Sequence, residues 1–153
     1  MRASPLFAAV LLAGCSSSPG PAPPPKPDPT TEAWYAETID RLSALNREAA
    51  SEFERGRRDP AADLVTQGQP LQARLLAVPH PTLAAMEAVS DLDHLSGRLL
   101  LANRHTGWAR LVFQKNLVRW KNWQPPSDSA RTRLEQARAD IAECDRQLSV
   151  TTK

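Results

Sequence analysis

From Thr31 onward the apolar residues recur at the three-and-four spacing of amphipathic helices. Tyr35, Ile39, Leu42, Leu45, Ala49 and Phe53 make one such stripe and predict a first helix over about Thr31–Arg55. Thr31 suits its N-cap, Glu32 the positive end of its dipole and Gly56 its C-terminal stop. A second helix is predicted from Asp59-Pro60, a capping residue followed by a proline suited to the first helical position. Leu64, Leu71, Leu75 and Val78 supply its apolar contacts, and Gly68 with Pro70 predicts a kink or a split. Val78-Pro79-His80-Pro81 then reads as a connection, because a residue before proline avoids the α region.

A third pattern starts near Thr82, with Ala88, Leu92, Leu95, Leu99 and Ala102 on one face, and extends past Trp108 as far as Trp123. The favoured reading is one long or kinked helix of about 40 residues, about 60 Å long. The alternative is a break at His105-Thr106-Gly107. Gln124-Pro125-Pro126 ends this segment, and Ser127 or Asp128 caps a last helix. Ala130, Leu134, Ala137, Ile141, Cys144 and Leu148 follow a strict three-four alternation there, the seam of a coiled-coil-like contact. The expected fold is therefore all-α, an antiparallel bundle of about four helices with one running over about 82–123. Residues 31–150 suffice for one small domain, glycine is sparse in them, and alternating β-branched runs are absent. Residues 151–153 form a short tail, and no internal repeat is evident.

The start of the chain follows different rules. Arg2 precedes an apolar run from Leu6 to Ala13, which is too short to span a bilayer, since about 20 residues are needed. A basic residue, a short apolar run and small residues before a cut site describe a secretory signal. Leu12-Ala13-Gly14-Cys15 closes it, and with this cysteine the segment resembles the lipobox of a bacterial lipoprotein. The resemblance covers residues 1–16 only. It implies cleavage after residue 14, a diacylglyceryl group on the sulfur of Cys15 and a membrane anchored through that lipid. Ser16, in place of an aspartate, is similar to the pattern of lipoproteins sent to the outer membrane, facing the periplasm. Residues 15–30 then form a tether holding seven of the fourteen prolines. Such a segment favours extended polyproline II and reaches up to about 45 Å.

The overall charge of +2 discriminates little, but its distribution does. Between His94 and Ser127 lie Arg98, Arg104, Arg110, Lys115, Arg119 and Lys121 with no acidic residue, interleaved with Trp108, Phe113, Trp120 and Trp123. Arg104, Trp108, Arg110, Lys115, Arg119, Trp120, Lys121 and Trp123 are the candidate interaction surface. Basic and aromatic residues together suit anionic polymers or lipid headgroups. The export signal argues against nucleic acid as the partner. On a helical wheel the apolar residues of 108–123 cover most of the circumference, which suits burial or the grip of a protein partner better. The plainest reading sets this basic stretch against the acidic first helix inside the bundle.

Other chemistry is thinly represented. Cys144 is the one cysteine besides Cys15, and its place on the apolar seam points to burial; the alternative is an intermolecular disulfide. Asp91-x-x-His94 has the spacing used in di-metal bundles, but no second such pair exists. Glu87, Asp91, His94, Arg98 and His105 read more simply as one solvated stripe. No nucleophile elbow, phosphate loop or zinc-protease motif occurs, and no cofactor signature either. The expected role is a structural or protein-interaction module of the envelope, not an enzyme; the alternative is a binder of anionic polymers or headgroups through residues 104–123.

Overall fold

The computed structural model describes residues 27–151. The lipobox, Cys15, most of the tether and residues 152–153 lie outside them. All regular structure among the described residues is helical: α1 (Ala33–Glu54), α2 (Arg58–Leu76), α3 (Leu83–Ala102), α4 (Thr106–Lys121) and α5 (Asp128–Thr151). The chain enters through a single 3-10 turn, Pro29–Thr31, capped by Asp28, whose Oδ1 accepts from the Thr30 amide at 2.9 Å. These bonds from Thr30 hold the Asp28 carboxyl below its ordinary pKa. Thr31 therefore ends a turn instead of capping α1, and Glu32 takes the cap position without a side-chain bond.

The chain folds into an up-and-down bundle around α3, which buries ten of its twenty residues. On one side α1 and α2 pack with it. Leu42, Ala49, Ala61, Val65, Leu75, Val89 and Leu92 form that core. Gly68 permits the closest approach there: a Cβ at that position would come within 2.8 Å of Leu92 Cδ1. Tyr35 Oη accepts from the Thr82 amide at 2.9 Å and ties the start of α1 to that of α3. Thr82 caps α3, accepting from the Ala85 amide at 3.3 Å, at the position where the third pattern is expected to start. On the other side α4 runs antiparallel to α3 and α5 returns alongside α4, with Ser127 accepting from the Ala130 amide at 3.1 Å.

Besides the Thr31 cap, the helices depart from expectation in three places. First, the helix over 82–123 does not exist as one piece, so the bundle has five helices among the described residues. Arg104 takes a left-handed conformation (φ 62), and the amides of Arg104 and His105 turn back to the carbonyls of Leu101 and Leu100 at 3.0 and 2.9 Å. This is the helix-closing arrangement usually made with glycine. Second, α2 is not split. Pro70 lies on its exposed side, where water can reach the carbonyl that proline leaves unbonded, and Gly68 is buried at the close approach. Third, α2 begins at Arg58, so Asp59 lies in its first turn and does not cap it.

Candidate interaction surface

The break at Arg104 frees α4 to fold back on α3, and that decides where the candidate residues point. The inner face of α4 carries Ala109, Phe113, Asn116 and Trp120, all buried. Phe113 lies over Gly97, where any side chain would collide with its ring. The indole of Trp120 donates to Ser90 Oγ at 2.8 Å, and Asn116 donates to the Ser90 carbonyl at 3.0 Å. Trp123 stacks edgewise against Trp120, with ring centroids 5.8 Å apart. Two of the three tryptophans of this stretch thus belong to the packing between helices.

Most of its cations are matched as well. Asp93 of α3 is 5% exposed and gathers three donors. Gln72 donates to it at 2.8 Å, Lys115 at 3.0 Å and Arg119 at 2.9 Å. Arg119 also donates to Asn116 Oδ1. Arg110 donates to Asp145 of α5 at 2.6 Å, a bond that raises the guanidinium above its ordinary pKa. The partners of the basic stretch therefore come from α3 and α5. The acidic first helix does not face it; Glu52 of α1 pairs instead with Arg55 and Arg57.

What remains outward is a different set. Trp108 is 67% exposed, Leu111 54% and Val118 56%. Together with Lys115 they occupy successive positions on the side of α4 opposite Phe113 and Trp120. Leu100, Val112 and Lys115 complete a shallow hollow of about 370 Å³ beside Trp108 and Leu111. Arg104 and Lys121 flank the face, both exposed. Leu111 and Val118 were not singled out by the sequence reading. The signal for them was the spacing 108, 111, 115 and 118, the complement of the buried 109, 113, 116 and 120.

A second polar region lies between α3 and α5. Arg133 donates to both oxygens of Asp91, Ser129 to Glu87, and His94 Nδ1 stands 3.0 Å from Asp140 Oδ2 without the angle of a hydrogen bond. Glu87, Asp91 and His94 are thus interhelical and not a solvated stripe. Clefts of about 400 and 430 Å³ flank the Asp91–Arg133 pair, between α3 and α5 and between α1 and α3. No group of three metal-ligating side chains gathers among the described residues. Cys144 is fully buried beside Ala109 and Phe113, and burial pushes its thiol above the ordinary pKa.

The described residues thus define a class, an all-helical bundle with one apolar, cation-flanked helix face left uncovered. No protein-family model matches the chain, and no curated protein or solved structure proves similar to it.

Proposed function

We propose that this chain is a lipoprotein of the bacterial envelope, anchored through lipid on Cys15 to the outer membrane and facing the periplasm. Its helical domain serves as a structural or protein-interaction module, not as an enzyme. The lipobox-like Leu12-Ala13-Gly14-Cys15 supports the anchor. The observation that carries the interaction role is the outer face of α4, where Trp108, Leu111 and Val118 are each more than half exposed. Isolated surface leucines are ordinary, but an exposed tryptophan and two aliphatics in line on one helix mark a docking surface. Within the polar region between α3 and α5 the charged groups are largely matched to one another, which suits cohesion more than catalysis. No helix among the described residues is long and apolar enough to cross a membrane.

Two measurements test this reading. Cys15→Ala is expected to shift the protein from the membrane pellet to the soluble fraction; unchanged pelleting refutes the anchor. A photo-crosslinking residue at position 111 is expected to give adducts in intact cells, and one at the exposed Ala142 of α5 to give none. Equal yields at both positions refute the docking face. The reading as a binder of anionic polymers or headgroups is favoured by one observation: the exposed charges flanking this face, Arg104 and Lys121, are both cationic.

A further inference from the structure

We infer that the outer face of α4 docks on a bilayer surface bearing anionic lipid headgroups and lays the helical domain against the membrane. This rests on the lipid-anchored reading above, which supplies the bilayer.

The face is the convex side of one helix, with Trp108 and Leu111 beside the shallow hollow completed by Leu100 and Val112, and Val118 two turns further on. Such a shallow surface offers no deep groove, which suits a flat partner. A membrane interface requires only apolar groups in one plane with cations around them. Tryptophan is the side chain best suited to that zone, because its ring is apolar and its N–H can stay wet.

Charge points the same way. No acidic residue occurs from His94 to Ser127. The carboxylates nearest to α4 are already engaged, Asp93 by Lys115 and Arg119 and Asp145 by Arg110. Lys115 nevertheless remains about half exposed, with its stem lining the apolar hollow. Arg104 and Lys121, at opposite ends of α4, make no ion pair among the described residues. A second copy of the chain on this face would bring like charges together. An anionic surface would be attracted at both ends of the helix, by Arg104 and Lys121, and by the half-exposed Lys115 between them. A lipid anchor raises the local concentration of that surface, so a shallow contact suffices.

The test uses the full chain, purified from membranes and reconstituted into vesicles of phosphatidylcholine, with or without phosphatidylglycerol. A nitroxide is placed at Leu111→Cys or, as control, at Ala142→Cys. Buried Cys144 stays unlabelled in the folded protein. Label taken up by the unsubstituted chain would report a free Cys15 and refute the anchor without bearing on docking. With phosphatidylglycerol, the nitroxide at 111 is expected to lose accessibility to a water-soluble nickel complex and gain it to oxygen. The one at 142 should stay aqueous, and both should stay aqueous on phosphatidylcholine alone. In Arg104→Glu with Lys121→Glu, the docked-to-undocked ratio should fall at least about fivefold for each charge removed, with unchanged melting. A nitroxide at 111 that stays aqueous on anionic vesicles overturns the proposal. So does one that inserts equally without phosphatidylglycerol, or one immobilised only when an acidic envelope protein is added.

Discussion

The two sides of α3 are held by different physics. Toward α1 and α2 the contact is aliphatic, built on Leu42, Val65, Leu75, Val89 and Leu92, with Gly68 allowing the backbones to close up. Toward α4 and α5 the aliphatic contact is smaller: Trp120 and Ala130 join the main core, and Ala109, Phe113 and Cys144 form a separate cluster with Leu100, Leu101 and Ile141 around it. Hydrogen bonds and ion pairs carry the rest: Ser90 with Trp120 and Asn116, Asp93 with Lys115 and Arg119, and Asp91 with Arg133. The aliphatic side is non-directional and tolerates small shifts. The polar side holds one register, because each donor must meet its acceptor. The difference explains how α4 can leave an apolar face uncovered. Its inner face is fixed by polar groups, Phe113 and Trp120, and the outer apolar residues Trp108, Leu111 and Val118 are left exposed.

This contrast can be broken by substitution, and the largest effect is expected at Asp93. Asp93→Ala would leave the largely buried Arg119 without its carboxylate, at a cost of about 3–5 kcal/mol. Hydrogen exchange should then quicken in α4 and α5 more than in α1. Leu92→Ala, on the opposite side, is expected to cost about 2–5 kcal/mol in denaturant unfolding and to speed exchange across α1–α3 instead. Identical exchange patterns for the two variants would refute the division into an aliphatic and a polar side.

Next come the two buried glycines, which compare the sides with a single methyl group. At Gly97 an added Cβ meets the rigid ring of Phe113, and Gly97→Ala should cost about 1–3 kcal/mol. At Gly68 the obstacle is the flexible ends of Leu92 and Leu42, so Gly68→Ala should stay within about 1 kcal/mol of the parent, helped by the better helix propensity of alanine. Thermal melts that reverse this order would show the polar side to be the more yielding one. The smallest effect is expected at Arg104. Relieving its left-handed conformation with Arg104→Gly should raise stability by about 1 kcal/mol, read from the same melts.

The helix ends show how far the sequence could be read. Gly56 and Arg104 close α1 and α3 in the same way. The amide after each reaches back to a carbonyl, Arg57 to Glu52 and His105 to Leu100, both at 2.9 Å, and each residue has positive φ (77 and 62). The first stop was legible because glycine adopts that conformation freely. The second was not, because an arginine carries no such signal and the apolar periodicity runs on through it. The same blindness affected the basic stretch. Trp108 and Trp120 look alike in sequence, yet one is exposed and the other bonded to Ser90. Which of them faces inward depends on how α4 is rotated after the break. Ser127 as a cap and Thr82 as the start of α3 were legible, because each rests on a bond between near neighbours in the chain.

By itself the sequence determined the helical character of the domain, the helix boundaries other than the two at the α3–α4 break to within a few residues, and the seam of α5 from Ala130 to Cys144. These follow from local periodicity and capping, which act over one or two turns. The tertiary structure alone decided that α3 and α4 are separate and that Asp93, not the acidic first helix, receives the cations of α4. It also decided that Trp108, Leu111 and Val118 stay outside. Those outcomes depend on which faces meet across the bundle, and a face acquires its partner only when distant segments compete for the same core.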